Sequence, residues 1–210
     1  DDYKLRLAGT TTIQPQTALE LLQQSRSSTI APLYMIQSPH QQNWLKLDRT
    51  IYELAGPAGT GKTQLALSLC LQAESSVYLS LSNNNLGKIS QRLQQMCCSS
   101  MDKLQSIWTR GCTNTDDFWE VVHTLPSCRV LIVDSIADIF RHETTNIPQR
   151  SLQFFRLVQH LRRLIATQHI QTVLILNQVS ANFNTSATEW TPALGLSWSH
   201  CVSVRYQVDK

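Results

Sequence analysis

The 210-residue sequence has no apolar run that approaches the roughly 20 residues needed to cross a bilayer, and only 16% of its residues are charged. Its net charge of +3 is too small to indicate a nucleic-acid partner by itself. The first residues, Asp1-Asp2-Tyr3-Lys4, are polar and acidic, unlike a secretory signal. With 42% hydrophobic residues, the composition predicts a folded globular chain without a membrane partner.

The cysteines show neither C-x-x-C spacing nor nearby histidines in a metal-binding pattern, which argues against a zinc site and a redox motif. Three of them lie in or beside apolar segments, as buried free thiols do. Free thiols are typical of a reducing compartment, so the sequence predicts the cytosol or the nucleus. The six residues are Cys70, Cys97, Cys98, Cys112, Cys128 and Cys201.

Glycine is scarce, with 7 residues in 210, yet one segment of eight residues contains three of them. This segment fits G-x-x-x-x-G-K-[ST], the phosphate-binding loop of nucleoside triphosphate sites. In such a loop, glycines let backbone N–H groups surround phosphate oxygens, Lys62 reaches the β- and γ-phosphates, and the Thr63 hydroxyl can ligate Mg²⁺. The segment consists of Gly56, Pro57, Ala58, Gly59, Thr60, Gly61, Lys62 and Thr63.

The residues that flank this loop support the same interpretation. Residues 50–55 form a short β-prone run, and residues 63–71 are rich in Leu and Ala with no Gly or Pro. A strand before the loop and a helix after it are the context that the motif requires. The alternative, a glycine-rich turn with a surface lysine, is disfavoured by this context.

Four aliphatic residues lead into an acid in the segment 129–135, which reads R-V-L-I-V-D-S. A continuous apolar strand is typical of a parallel sheet covered on both faces, and such sheets bind ligands at the carboxyl ends of their strands. Taken alone, Asp134 would be interpreted as a surface residue or a helix N-cap. Downstream of a phosphate-binding loop, it is predicted to hold Mg²⁺ through water, the Walker B role.

Strand-like and helix-like segments alternate along the chain, which predicts an α/β fold with a mostly parallel, doubly wound sheet and helices on both faces. A half-buried strand near the sheet edge is predicted at the end of the chain, where residues 202, 204, 206 and 208 are apolar. Strands are predicted within 33–36, 50–55, 76–81, 106–108, 129–134, 172–176 and 196–208. Helices are predicted within 17–24, 63–71, 86–98, 116–122 and 148–168.

Three motifs follow one another in a set order: G-K-T-Q at 61–64, a strand ending in D-S at 134–135, and N-Q at 177–178. This order resembles the RecA/RadA recombinase core. Residues 191–198, T-P-A-L-G-L-S-W, are similar to the P-x-L-G-x-x-W segment of the eukaryotic recombinase paralogues. Within that family, the chain is most similar to the X-ray-repair cross-complementing paralogues of group three, with group-two features near its N-terminus.

The resemblance implies an ATP-binding domain with a RecA-like P-loop core over residues 45–210, preceded by a linker and a short helix over 1–44. It adds Gln64 to the nucleotide-binding set. It also assigns catalytic roles to Lys62 and to Gln178, with Gln178 as the sensor of the γ-phosphate.

For DNA, the resemblance implies one binding loop at 179–192 and another at 141–148, with Arg141 near the base of the second. Arginine suits phosphate contact by its charge and its fork geometry. The cofactors implied are ATP and Mg²⁺, and the location implied is the nucleus. The partners implied are other recombinase paralogue subunits and single-stranded DNA.

The sequence departs from the active members of this family at the catalytic glutamate. They place it at the end of the second core strand, where this chain has Ser82 or its neighbour, and no acid lies between Glu74 and Asp102. Serine cannot act as a general base near neutral pH as a carboxylate can. We therefore expect ATP binding with slow or absent hydrolysis by the chain alone.

The predicted DNA loops carry little positive charge, and residues 179–192 contain neither Lys nor Arg. Because salt-dependent DNA affinity scales with the number of phosphate contacts, the isolated chain is expected to bind single-stranded DNA weakly.

Three functions remain open at this point. The first is an ATP-binding assembly subunit of a paralogue complex in double-strand-break repair, favoured by the missing carboxylate. The second is an active DNA-stimulated ATPase, which requires a catalytic acid. The third is a P-loop kinase for small molecules, which the N-Q pair at 177–178 disfavours.

Overall fold

The structure is a computed structural model that describes residues 34–37, 44–81, 85–97, 101–143, 146–182 and 189–208. Side chains are not described for residues 34–37, 44–46, 101, 142–143 and 180–191. The described residues all belong to one compact unit, Pro32–Lys210. The predicted helix at 17–24 lies outside them, and the domain boundary at 44/45 stays a prediction.

Ten strands are described. Six of them form one parallel sheet in the order β10-β3-β7-β6-β4-β5. The strands are β1 Tyr34–Gln37, β2 Trp44–Leu47, β3 Ile51–Ala55, β4 Ser76–Ser80, β5 Ile107–Gly111, β6 Cys128–Asp134, β7 Ile170–Asn177, β8 Val179–Asn182, β9 Glu189–Pro192 and β10 Val204–Gln207. The predicted α/β fold with a parallel sheet is confirmed.

Seven helices are described, and they are numbered here in chain order. They are α1 Lys62–Gln72, α2 Leu86–Met96, α3 Met101–Gln105, α4 Thr115–His123, α5 Ile136–Glu143, α6 Ile147–Ala166 and α7 Gly195–Ser199. Two helices, α4 and α6, begin directly after an asparagine whose side chain caps the helix. The Asn114 side chain accepts a hydrogen bond from the Asp117 N–H at 2.8 Å, and Asn146 accepts one from Gln149 at 3.4 Å. Both satisfy donors that a helix cannot satisfy internally.

Both faces of the parallel sheet are covered by helices. Successive residues of each central strand point to opposite faces, so alternate residues of β6 enter two different clusters. Leu131 and Val133 pack in the cluster that includes residues of α4 to α7, whereas Val130 and Ile132 pack in the cluster that includes residues of α1 and α2. Apolar burial on both faces explains why β6 reads as an unbroken aliphatic run.

Four aromatic side chains form a chain of edge-to-face contacts on the α4–α7 side. Phe118 contacts Phe140, Phe140 contacts Phe154, and Phe154 contacts Trp198, with ring centroids 6.1, 5.2 and 5.3 Å apart. Each ring is fully buried. These contacts fix the short helix α7, which carries Trp198, against the long helix α6.

The structure differs from the sequence predictions mainly in segments that were predicted to be loops. The DNA-binding loop implied at 179–192, which includes the polar loop predicted at 180–192, contains β8 and β9, which pair as an antiparallel hairpin. In the predicted DNA loop at 141–148, residues 141–143 are the last residues of α5, and residues 147–148 are the first of α6. The predicted strand over 196–208 begins instead with α7, and only 204–207 form the edge strand β10.

Across the described residues, none of the helices combines the length and the apolar character that a membrane crossing demands.

Candidate nucleotide site at the end of strand β3

The predicted phosphate-binding loop connects β3 to α1 at the carboxyl end of the parallel sheet. Gly59 and Gly61 have φ angles of 81° and 87°, a region that favours glycine. A Cβ atom on either residue would meet nothing within 4 Å, so the space beside the loop is open. The N-terminal amides of α1 begin at Lys62, and the helix dipole makes such a terminus attractive to anions.

Gly56 is required for a different reason. A Cβ atom at this position would lie 2.3 Å from the backbone oxygen of Val208, the residue after β10. The Val208 N–H also donates a hydrogen bond to the Ala55 oxygen at 2.8 Å. The loop therefore starts where two neighbouring strands approach too closely for a side chain.

Lys62 folds back over the loop that precedes it. Its ammonium donates hydrogen bonds to the backbone oxygens of Gly56 and Pro57, both at 2.7 Å. Burial lowers the pKa of Lys62, and the attraction of Asp134 partly offsets this effect. The cation is thus held at the loop by these two backbone oxygens, and the charge of Asp134 acts on it.

Asp134 ends β6 beside the first turn of α1. The Thr63 hydroxyl donates to Asp134 Oδ2 at 3.2 Å, and the Tyr78 hydroxyl donates to the same oxygen. Burial raises the pKa of Asp134, while the hydrogen bonds from Tyr78 and Thr63 and the charges of Lys62 and Arg92 lower it. Burial also raises the pKa of Tyr78 strongly, so its phenol remains a hydrogen-bond donor.

Gln178 follows β7, the strand between β3 and β6 in the sheet. Its side-chain amide donates to Asp138 Oδ1 on α5 at 2.8 Å. Its backbone oxygen accepts from the Ala193 N–H at 2.8 Å, just after β9. The predicted sensor therefore contacts α5, whose last residues enter the segment 141–148, and the residue that directly follows the segment 179–192.

The other predicted site residues take separate positions. The Gln64 side chain donates a hydrogen bond to Sδ of Met96, the last residue of α2, at 3.1 Å. Arg141 is exposed on α5. Ser82 lies outside the described residues. The backbone N–H of the preceding residue, Leu81, donates a hydrogen bond to the backbone oxygen of Asp134 at 2.6 Å, so β4 ends beside Asp134.

A buried carboxylate lies beneath the loop in β3. Glu53 is fully buried, and its Oε1 accepts from Asn177 Nδ2 at 2.6 Å and from Trp198 Nε1 at 2.8 Å. Its Oε2 accepts from Arg205 Nε on β10. The sequence analysis missed this network and the Tyr78 contact, although an acid inside an apolar strand is the signal of a buried partner.

The arrangement fits a nucleoside triphosphate with Mg²⁺. The open glycine loop and Lys62 would hold phosphates, and the Thr63 hydroxyl and Asp134 would hold the metal directly or through water. When bound, Mg²⁺ neutralises charge on the phosphate oxygens. Among the described residues, no group of three or more His, Cys, Asp or Glu could hold a metal alone.

No protein-family model matches this chain. Among curated proteins, it is 26% identical over 214 aligned residues to the DNA repair protein XRCC3 homolog of Arabidopsis thaliana, covering 77% of this chain and 69% of that protein. It is 28% identical over 109 residues to the DNA repair protein RAD51 homolog 3 of Cricetulus griseus, covering 49% and 30%. It is 28% identical over 187 residues to the DNA repair and recombination protein RadA of Metallosphaera sedula, covering 77% and 56%.

The chain thus spans between about a third and two thirds of the length of these relatives. The resemblance that the motifs predicted is confirmed, because relatives are found among both the eukaryotic paralogues and RadA. The parallel sheet has the architecture expected of that core. The chain is similar to RadA and to the eukaryotic recombinase paralogues, proteins of the RecA/RadA family.

Proposed function

We propose that this protein is an ATP-binding subunit of a recombinase paralogue complex that acts in homologous-recombination repair of DNA double-strand breaks, with weak or absent hydrolysis of its own. The observation that carries the proposal is the contact between Thr63 and Asp134, beside the ammonium of Lys62. It joins the two motifs whose residue types bind phosphate and Mg²⁺. The names of the relatives, which are DNA repair proteins, support the cellular role.

Weak hydrolysis follows from the position at the end of β4. The chain leaves this strand beside Asp134, and Ser82, two residues after the strand ends, stands where the family's catalytic glutamate is expected. Without a residue that orients water, turnover typically falls by orders of magnitude while binding survives. A partner subunit that supplies a catalytic group across an interface would restore it.

A role in a complex also agrees with the weak DNA binding expected of the chain alone. The hairpin segment 179–192 has no Lys or Arg, and Arg141 is an exposed cation at the other segment. Affinity for single-stranded DNA in the nucleus would therefore depend on sister subunits. The contacts of Gln178 with α5 and with Ala193 provide a path by which ATP would influence both segments.

The test is ATP binding and turnover by the purified chain, with and without single-stranded DNA. Wild type is compared with Lys62→Ala and with a matched control, Lys88→Ala, which removes an exposed lysine on α2. We expect Mg-ATP binding that is lost in Lys62→Ala and kept in Lys88→Ala, and no turnover above the Lys62→Ala background.

Other outcomes would separate the alternatives. DNA-stimulated turnover that depends on Lys62 would identify an active ATPase and would refute the loss of the catalytic carboxylate at Ser82. Phosphoryl transfer to a nucleoside monophosphate would identify a small-molecule kinase. Failure of the wild type to bind ATP at all would refute the proposed function.

A further inference from the structure

Tyr78 lies in the middle of β4 and is fully buried. It pairs with Ile132 of β6, and its ring belongs to the apolar cluster that includes residues of α1 and α2. A buried tyrosine hydroxyl needs a partner, and a backbone carbonyl would suffice. Here the partner is instead the carboxylate of Asp134.

Two hydroxyls converge on a single oxygen of that carboxylate. Thr63 and Tyr78 both donate to Oδ2, and within the described part of the chain no donor is seen on Oδ1. The terminal torsion of an aspartate side chain is otherwise broad, so two donors on one oxygen restrict its rotation. Because Thr63 donates its proton to Asp134, its own oxygen retains lone pairs for a metal.

We propose that Tyr78 is a positioning residue for the metal carboxylate: by engaging Oδ2, its hydroxyl keeps Asp134 oriented for the Mg²⁺ that accompanies ATP. This inference rests on the proposed nucleotide site and names a residue that the phosphate-loop and Walker B patterns do not contain. Groups that hold a metal ligand by a hydrogen bond typically affect metal affinity by about 10- to 100-fold. A tyrosine that only fills the core would leave that affinity unchanged.

The experiment measures ATP affinity as a function of Mg²⁺ concentration in wild type and in Tyr78→Phe, which removes only the hydroxyl. Tyr52→Phe is the matched control, because Tyr52 is also buried in the sheet and its hydroxyl accepts from the Asp48 N–H at 2.6 Å, away from Asp134. We expect the factor by which Mg²⁺ increases ATP affinity to be about tenfold smaller in Tyr78→Phe than in the wild type. This is the lower end of the range for groups that hold a metal ligand. Affinity without Mg²⁺ and the gain in Tyr52→Phe should stay unchanged.

A double-mutant cycle with Asp134→Asn distinguishes positioning from a general loss of stability. If Tyr78 acts through Asp134, Tyr78→Phe changes nothing further in the Asp134→Asn background. Equal Mg²⁺ dependence in wild type and Tyr78→Phe, with only a lower melting temperature, would overturn this inference and leave the proposed function standing. Absence of Lys62-dependent ATP binding in the wild type would overturn both.

Discussion

Asn177 Nδ2 lies 2.6 Å from Glu53 Oε1 inside the sheet, and both residues are fully buried. Glu53 lies three residues before the phosphate-binding loop, and Asn177 immediately precedes Gln178. The side-chain oxygen of Asn177, Oδ1, also accepts a hydrogen bond from the backbone N–H of Gln178 at 2.8 Å. One buried carboxylate therefore links the strand that leads to the phosphates with the strand that leads to the predicted sensor.

Glu53→Gln is expected to destabilise the fold by at least about 2 kcal/mol, because it removes the charge that faces the partly buried Arg205. Chemical denaturation measures this loss. Glu74→Gln is the matched control, since its ion pair with Arg129 is solvent-exposed and should contribute about 0–1 kcal/mol. Equal effects of the two changes would contradict the structural role given to Glu53.

Gly56→Ala is expected to cost at least about 2 kcal/mol and to weaken ATP binding, because the new Cβ would meet the Val208 backbone oxygen at 2.3 Å and the strands would have to move. Gly87→Ala serves as the comparison. Gly87 is exposed in α2, and a Cβ added there would meet no atom within 4 Å, so this change should stabilise the fold by up to about 1 kcal/mol. Melting temperatures and ATP affinities measured for both variants test whether Gly56→Ala lowers stability and ATP binding and whether Gly87→Ala raises stability.

Removal of Mg²⁺ is expected to weaken ATP binding by the wild type about tenfold or more, since contacts to charged groups contribute about 1.5–3 kcal/mol. Asp134→Asn should bind ATP with the same affinity in Mg²⁺ and in a chelator. Calorimetric titration under both conditions measures the difference. A chelator effect of equal size in both proteins would show that Asp134 does not serve the metal.

The stability of the fold is expected to fall in mild acid because of His160. Burial is the largest cause that lowers the pKa of His160 from the ordinary 6.5, and the neighbouring His123 and Arg163 lower it further. A contact with the backbone oxygen of Val122 raises it. The unfolded chain therefore takes up this proton more readily than the folded chain. The contribution of the neutral ring to stability is complete above pH 6.5 and is lost as the pH falls through the lower folded-state pKa.

Melting temperatures measured between about pH 8 and about pH 5 test this expectation, a range in which histidine titrates. The decrease should be smaller in His160→Gln than in the wild type. His200→Gln, at an exposed ring after α7, is the control and should behave as the wild type does. A decrease of the same size in all three proteins would assign the acid sensitivity to other groups.

The sequence by itself determined the parallel α/β class and the elements of the candidate site. These are properties of local patterns: a glycine-lysine motif of fixed spacing, and aliphatic runs that end in Asp134 or in Asn177 and Gln178. Such patterns can be recognised in the sequence without knowing which residues are in contact. Strand burial and loop geometry require particular residue types at particular positions. The helical nature of α5, the β8–β9 hairpin and the late start of β10 escaped this reasoning, since tertiary pairing overrides weak local preference.

Only the tertiary structure decided which polar side chains meet. Tyr78 and Asp134 are 56 residues apart, and Glu53 and Arg205 are 152 apart, yet both pairs form because adjacent parallel strands bring their side chains together. Nothing in the local sequence around Tyr78 indicates that its hydroxyl donates a hydrogen bond to a carboxylate. The order of strands in the sheet sets that contact, and strand order is a property of the folded chain rather than of any segment.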